Sequence, residues 1–168
     1  MELNTKIETL YKELQLPKLN EHHHALSNRV AKEGWKYSEY LYENLKFEVD
    51  NRALRFRATL TKMAGFPTIK TLEQFDFDFT VGVNRRQIEE LSTLEFVKRK
   101  ENIILLGQSG VGKTHLAIAL THTAVQKRIK ARFITASDLI IQMSHTKKEK
   151  RYDSFLKQAI MAPITACN

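Results

Sequence analysis

One stretch of the chain, residues 107–114, has the residue types and the spacing needed to hold a chain of phosphates. It has the form G-x-x-x-x-G-K-[ST] of the P-loop and reads Gly107-Gln108-Ser109-Gly110-Val111-Gly112-Lys113-Thr114. Glycines let the backbone curl, so that successive N–H groups point inward at an anion. The lysine ammonium reaches the β- and γ-phosphate oxygens, and the threonine hydroxyl is a ligand for Mg²⁺. The motif therefore predicts a site for ATP and Mg²⁺.

The residues on either side of the motif predict the two elements that a P-loop connects. Before it, Ile103 to Leu106 is a short apolar run, which is typical of a buried parallel strand. After it, residues 115–127 contain no glycine or proline and predict a well-buried helix. The positive N-terminal end of that helix would face the phosphates, so the predicted nucleotide site extends to His115. The alternative, a glycine-rich turn without a ligand, gives the Lys-Thr pair no packing purpose.

Composition narrows the class of protein. The chain has 168 residues and a net charge of +8, which favours contact with a polyanion such as nucleic acid. The alternative is that the basic residues only keep the chain soluble. No apolar run approaches the roughly eighteen residues needed to span a membrane, and the N-terminus lacks the apolar core of a signal peptide. With a single cysteine, Cys167, these features predict a cytoplasmic protein without membrane contact.

Helical periodicity dominates the first third of the sequence. A first helix starts near Leu3 and is predicted to end at Pro17, and a second ends at Gly34. Adjacent residues on a helix point about 100° apart, so the triplet at 22–24 cannot share one metal, and we predict that these histidines form a solvated face. A third, long helix capped by Ser38 carries a continuous apolar stripe, which consists of Tyr42, Leu45, Val49, Ala53, Phe56, Leu60 and Met63.

Cations recur every three or four residues along another face of the third helix. They are Arg52, Arg55 and Lys62, with Thr59 in the same row. Regularly spaced cations can follow the phosphates of duplex DNA without reading its sequence, so we predict DNA contacts here. The alternative is a solvated helix face. Gly65 and Pro67 end this helix, and we predict an N-terminal helical domain at 1–66 and a second domain at 67–168.

The remaining segments are predicted from local signals. Phe75, Phe77 and Phe79 alternate with aspartates, which predicts an extended segment that packs on the core or lies near the purine. Asn84 and Gln87 resemble a capping box that opens a helix through about Arg99. After the P-loop unit we predict a strand at 131–135, a helix capped by Ser137 or Asp138, a charged connector at 146–151 and a last helix at 155–161.

Several further short motifs accompany the P-loop. They are Leu10-Tyr11-Lys12-Glu13-Leu14, Lys32-Glu33-Gly34-Trp35, Thr71-Leu72-Glu73-Gln74-Phe75-Asp76-Phe77, Leu94-Glu95-Phe96, Lys100-Glu101-Asn102, and Thr135-Ala136-Ser137-Asp138-Leu139. Together with the P-loop and its flanks, they resemble the IstB/DnaC-like ATPases, which are AAA+ helper proteins of insertion-sequence transposases. The resemblance covers nearly the whole chain.

The resemblance implies a fold and a function. The implied fold is an α/β P-loop NTPase core of the AAA+ type, preceded by a small all-α N-terminal domain. The implied ligands are ATP and Mg²⁺. The implied partners are duplex DNA, a cognate transposase to which target DNA is delivered, and further copies of the subunit in the full-length family.

The end of the sequence departs from the family pattern. An apolar strand that ends in Asp-Glu, the Walker B motif, should follow the region near Leu156, but no carboxylate follows Asp153. The residues after Met161 resemble out-of-frame sequence. We therefore expect a C-terminally truncated, incomplete core that lacks the catalytic acid and the arginine finger, and we assign no catalytic residue. The expected activity is nucleotide binding with negligible hydrolysis.

Two other functions are consistent with a P-loop. A small P-loop kinase would show an arginine-rich lid after the second strand, and the sequence has none. A remnant without catalysis would bind only DNA or a partner protein. The helper function is favoured by the basic row on the third helix.

Overall fold

The computed structural model describes residues 2–78, 80, 82–148 and 164–167. Its elements are α1 (Glu2–Glu13), α2 (Pro17–Glu33), α3 (Tyr37–Ala64), α4 (Arg85–Ser92), α5 (Glu95–Lys98), α6 (Lys113–Gln126), β1 (Ala131–Ile134), α7 (Ala136–Lys148) and β2 (Ile164–Cys167). The chain divides into two compact units, Met1–Phe56 and Arg57–Asn168, and the division falls inside α3. The predicted domain boundary, after residue 66, stays a prediction. No described helix is both long enough and apolar enough to cross a membrane.

The first unit contains α1, α2 and most of α3. We predicted that Pro17 ends α1, and this was wrong. Pro17 lies at the start of α2, where its missing N–H is not needed. The chain turns instead at Gln15, which has a φ of +56°. Gly34 ends α2 as predicted, with a φ of +69° and its N–H bonded to the carbonyl oxygen of Val30.

The three adjacent histidines of α2 do not form the solvated face that we predicted. The His23 side chain is buried, and its ring lies edge-on to Tyr11 at 5.2 Å between centroids. The His22 ring stacks on Phe47 of α3 at 3.8 Å. His24 lies 3.6 Å from a carboxylate oxygen of Glu8. The helices of this unit therefore pack through aromatic rings that we had assigned to solvent.

The apolar stripe predicted on α3 is present on the helix, but most of it is exposed. Ala53 and Leu60 are buried, but Tyr42, Leu45, Val49, Phe56 and Met63 are exposed by 45–67%. In the first unit, the residues of α3 that are buried include Asn44 and Glu48. Periodicity shows that a helix has an apolar face, but it does not show which face its neighbours cover.

The core of the second unit forms around α6. This helix is buried through Leu116, Ile118, Ala119, Leu120, Thr121, Ala124 and Val125, as its sequence predicted. It contacts both β1 and β2. β1 forms as predicted and pairs in parallel with β2, with Ala131 opposite Ile164 and Ile134 opposite Cys167. We had not predicted a strand in the tail.

The strand predicted directly before the P-loop does not form. Residues 103–106 have no strand hydrogen bonding, and Ile104 and Leu106 are 77% and 89% exposed. A parallel strand needs neighbours on its edges to satisfy its N–H and C=O groups. The sheet of the described residues contains only β1 and β2, so this segment has no strand beside it. Only Leu105 packs on the apolar cluster around Leu116.

Two other predicted elements differ from the structure. The helix that Asn84 opens, with its side chain accepting from the N–H groups of Arg86 and Gln87, ends at Ser92 rather than near Arg99. Leu94 then adopts a left-handed φ of +67° before the short helix α5. Helix α7 continues through Lys148, into the predicted connector. Residues 155–161 and Phe79, on which other predictions fell, lie outside the described residues.

Thr135, rather than Ser137 or Asp138, caps α7. The Thr135 hydroxyl donates to the Asp138 carboxylate at 2.6 Å and accepts from the Asp138 N–H at 3.1 Å. The carbonyl oxygen of Thr135 accepts the N–H of Leu139. The Asp138 carboxylate is thereby occupied in starting a helix.

We expect Thr135→Ala to lower the free energy of unfolding by about 1 kcal/mol, because the first turn of α7 loses its cap. Chemical denaturation monitored by circular dichroism measures the change. Thr135→Ser keeps the hydroxyl and should lose much less. Equal losses in the two variants would show that the methyl group, not the cap, stabilises this turn.

Candidate functional site

The backbone of the predicted phosphate loop curls at two glycines. Gly110 and Gly112 have φ angles of +85° and +78°, which residues with a side chain rarely adopt. Gly112 is also the N-cap of α6, which begins at Lys113. Gly112 has no side chain with which to cap the helix, and the first turn has no acidic residue. The positive end of α6 is therefore uncompensated by the chain and open to an anion.

The Lys113 side chain folds back over the loop. Its ammonium donates to the carbonyl oxygens of Gly107 at 3.0 Å and of Gln108 at 2.7 Å. Both acceptors are neutral, so phosphate oxygens would be stronger partners for the same ammonium. The lysine is thus held at the loop and can exchange two carbonyl contacts for phosphate contacts.

Phe75 fixes the shape of the loop from the side. A Cβ atom added to Gly112 would lie 2.5 Å from Cε2 and 3.1 Å from Cζ of Phe75. The Phe75 ring is itself buried with Ile88 and Leu116, so it cannot easily move. Position 112 therefore requires glycine for two reasons: a side chain would collide with the Phe75 ring, and the φ angle is positive. Of the two positions that we allowed for the phenylalanines, packing on the core is the one observed for Phe75, and its contact with Gly112 was not predicted.

The segment around Phe75 is not extended, as we had predicted it to be. It turns at 73–74 and again at 77–78, and the Asp76 carboxylate accepts the N–H of Asp78 at 3.0 Å. The Phe75 and Phe77 rings contact each other edge-on at 4.8 Å. Aspartate next to phenylalanine favoured a local turn over alternation, because a short carboxylate bonds readily to the backbone two residues later.

His115 ties this segment to the first turn of α6. Its Nε2 donates to the carbonyl oxygen of Thr71 at 2.8 Å, and its ring lies edge-on to Phe75 at 5.3 Å. A hydrogen bond to Thr71 is also the main reason that the pKa of the exposed Glu73 carboxyl is lowered. The His115 side chain is thus occupied in holding this segment against α6.

Thr114 lies in the first turn of α6 and is half-buried. No group of three or more His, Cys, Asp or Glu residues is arranged to hold a metal ion in the part of the chain that the structure describes. A Mg²⁺ ion that arrives with nucleotide needs few protein ligands, since phosphates and water supply the rest. The Thr114 hydroxyl, next to a loop whose backbone N–H groups can bind phosphate, is a suitable single ligand for such an ion.

The predicted DNA-contact residues of the first unit share one acidic partner. Arg52 Nε and Arg55 Nη2 lie 2.6 Å and 3.1 Å from the same carboxylate oxygen of Glu48. Both arginine side chains remain about half exposed, whereas that of Glu48 is 9% exposed. We did not predict the part that Glu48 plays, although the Glu–Arg spacing of four residues predicts such a pair. Lys62, the third predicted contact, is exposed in the second unit.

The chain is similar to a set of insertion-sequence proteins. It is 40% identical over 159 residues to a Pseudomonas aeruginosa protein named "Insertion sequence IS21 putative ATP-binding protein". The aligned region covers 95% of this chain and 60% of that protein. It is 38% identical over 152 residues to the corresponding protein of insertion sequence IS5376 from Geobacillus stearothermophilus (88% of this chain, 61% of the relative). An IS21-like relative from Bacteroides fragilis (strain YCH46) is 34% identical over 154 residues, 89% of this chain and 77% of the relative.

The chain therefore spans about 60% of the length of the first two relatives. The family model described as IstB-like ATP binding protein matches residues 9–165. This match includes the P-loop and its flanks and continues past Met161 into the tail. Together, the family match and the relatives show that the chain belongs to the IstB-like family of ATP-binding proteins.

Proposed function

We propose that this chain binds ATP together with Mg²⁺ through residues 107–115 and serves as an ATP-binding helper in insertion-sequence transposition. The observation that carries the proposal is the curl at Gly110 and Gly112, directly before the uncapped start of α6. The names of the relatives, which refer to ATP binding and insertion sequences, support the same function.

Different groups of the loop would bind different parts of the nucleotide and its metal ion. Backbone N–H groups of the loop and of the first turn of α6 would surround the β-phosphate. The Lys113 ammonium would leave the carbonyl oxygens of Gly107 and Gln108 and bind phosphate oxygens. Thr114 would offer its hydroxyl to Mg²⁺, which would neutralise charge on the phosphates. The carboxylates of Asp76 and Asp138 accept local hydrogen bonds, and we assign neither of them a role with the nucleotide.

Recognition should depend on the phosphates rather than on the base. We expect a non-hydrolysable ATP analogue to bind at least about 100-fold more tightly than AMP, because hydrogen bonds to charged groups contribute roughly 1.5–3 kcal/mol each and AMP lacks the β- and γ-phosphates. Isothermal titration calorimetry with Mg²⁺ measures both ligands. Similar affinities for the two would assign binding to a base pocket and refute a phosphate site.

We also propose that the chain binds duplex DNA through exposed cations of α3. Arg52 and Arg55 share one carboxylate, so this group carries a net charge of about +1 while its guanidinium groups stay accessible. Contacts of this kind hold the phosphate backbone without reading bases. Lys62 would add one further phosphate contact.

DNA affinity should fall with salt, with a log–log slope of roughly −0.9 for each phosphate contacted. We expect Arg52→Ala with Arg55→Ala to reduce the slope by up to about 2 units, and Lys62→Ala by up to about 1 unit. Fluorescence anisotropy of a labelled duplex over a salt series measures the slope. Lys18→Ala, which removes an exposed and ion-paired lysine of α2, is the control. If Lys18→Ala reduces the slope as much as the α3 variants do, the α3 cations have no specific role in DNA binding.

Three further properties extend the proposal. The partner that receives the DNA would be the transposase of the same insertion sequence. Subunits would assemble with one another, as the family resemblance implies, and the compartment would be the cytoplasm. Co-purification of the chain with its cognate transposase, in the presence and absence of ATP, tests the first of these.

A further inference from the structure

The His115 side chain connects the start of α6 to a segment 44 positions earlier in the chain. Its Nε2 lies 2.8 Å from the carbonyl oxygen of Thr71. A carbonyl oxygen can only accept a hydrogen bond, so this Nε2 carries a proton and donates it. The same ring lies edge-on to Phe75, with 5.3 Å between the ring centroids. His115 therefore contacts the earlier segment at two points, four residues apart.

The residues between these two points form a compact turn. The N–H of Phe75 donates to the carbonyl oxygen of Leu72 at 3.1 Å, and the N–H of Thr71 donates to Oε1 of Gln74 at 3.2 Å. Leu72 and Phe75 both pack in the apolar cluster that contains Leu116 of α6. Because hydrogen bonds close this turn and its apolar side chains pack on α6, the position of the Thr71 carbonyl determines where the Phe75 ring lies.

The Phe75 ring completes a closed circuit of contacts with the phosphate loop. It lies so near Gly112 that an added Cβ atom would be 2.5 Å from Cε2 of the ring. Gly112 precedes His115 by three residues, within the start of α6. The circuit thus runs from His115 to Thr71, through the turn to the Phe75 ring, and back to α6 at Gly112. All of these residues belong to the second unit. In a closed circuit, one member cannot shift unless another contact breaks.

We infer that His115 is a positioning residue for the nucleotide, whose side chain holds the phosphate loop in its curled form through Thr71 and Phe75. This role rests on the ATP site proposed above. Without the bond to Thr71, the turn would separate from α6 and the Phe75 ring would no longer confine the loop at 107–112. The apparent affinity of a ligand falls with the population of the form that binds it. The His115 side chain therefore raises nucleotide affinity without contacting the nucleotide.

His115→Ala should weaken binding of a non-hydrolysable ATP analogue by about three- to tenfold, because the loop cannot gain more from this bond than a neutral hydrogen bond contributes. His115→Gln should recover most of the affinity, since its side-chain amide can donate to the same carbonyl oxygen. Isothermal titration calorimetry with Mg²⁺ measures each variant. If His115→Ala does not fold, His115→Phe, which keeps a ring but has no donor, replaces it. A His115→Gln protein as weak as His115→Ala would contradict the role of the hydrogen bond.

Lys127 provides a matched control at the other end of α6. Its Nζ donates to the carbonyl oxygens of Ser92 at 2.9 Å and Thr93 at 3.3 Å, so Lys127→Ala also removes a bond from α6 to a distant segment. Thermal unfolding should show a loss of stability in both Lys127→Ala and His115→Ala, but only His115→Ala should lose nucleotide affinity. An equal loss of affinity in Lys127→Ala would assign the effect to general stability and overturn the inference.

Combining His115→Ala with Phe75→Leu tests the route through the ring. If His115 acts through Phe75, the double variant should lose no more affinity than the weaker-binding single variant, because the two residues act as one unit. Additive losses would show that His115 acts by another route. If the original chain binds the analogue and His115→Ala binds it equally well, the ATP site stands and this role of His115 is refuted. If the original chain does not bind the analogue, both are refuted.

Discussion

Replacing Lys113 with alanine is expected to abolish binding of a non-hydrolysable ATP analogue. The ammonium has two carbonyl acceptors in the loop and would have at least two phosphate oxygens in the complex. Charge-assisted hydrogen bonds contribute roughly 1.5–3 kcal/mol each, so the affinity should fall by about two orders of magnitude or more. Calorimetry with Mg²⁺ present measures the loss.

The matched control for this variant is Lys130→Ala, which removes an exposed lysine of the same unit. It should bind the analogue like the original chain. Thermal unfolding of the Lys113→Ala protein must show a retained fold, because the variant also loses the two contacts to Gly107 and Gln108. Undiminished binding by a folded Lys113→Ala protein would mean that the phosphates lie elsewhere.

Gly112→Ala is expected to damage both stability and nucleotide binding. The new Cβ would lie 2.5 Å from the Phe75 ring at a φ of +78°. A left-handed backbone costs roughly 1–2 kcal/mol for a residue with a side chain, and overpacking a buried contact costs about 1–3 kcal/mol more. We therefore expect a loss of about 2–5 kcal/mol in the free energy of unfolding, which chemical denaturation measures.

Gly110→Ala separates the two causes. Gly110 has a similar φ of +85° but no atom within 4 Å of an added Cβ. Gly110→Ala should therefore lose only the part of the stability that comes from the left-handed backbone. Adding Phe75→Leu to Gly112→Ala should restore part of the stability, as a non-additive pair in contact does. If the two glycine variants lose the same stability, Phe75 does not define the loop.

Local signals in the sequence predicted much of the candidate site. Glycine spacing located the curl before α6, and uninterrupted apolar residues located α6 itself. Each of these signals is contained within a few residues, so it needs no knowledge of the neighbours. The Phe75 contact with Gly112 spans 37 positions, and no local pattern indicates it.

Elements whose position depends on neighbouring elements could not be predicted in the same way. Residues 103–106 read as a buried strand, but they are left exposed because no strand lies beside them among the described residues. The spacing on α3 indicated an apolar face of the helix, but it could not indicate which of these residues a neighbouring element covers. Glu48 pairs with both Arg52 and Arg55. The net charge of a row of cations on a helix therefore depends on the acidic residues one turn before or after it.

We expect the loop at 107–114 to close on the phosphates of a nucleotide. Backbone amide resonances of ¹⁵N-labelled protein, titrated with a non-hydrolysable ATP analogue and Mg²⁺, test it most directly. The largest shifts should fall on the amides of Gly110, Gly112, Lys113 and Thr114 and should saturate together. Saturable shifts confined to other residues, with these amides unmoved, would contradict a phosphate site at this loop.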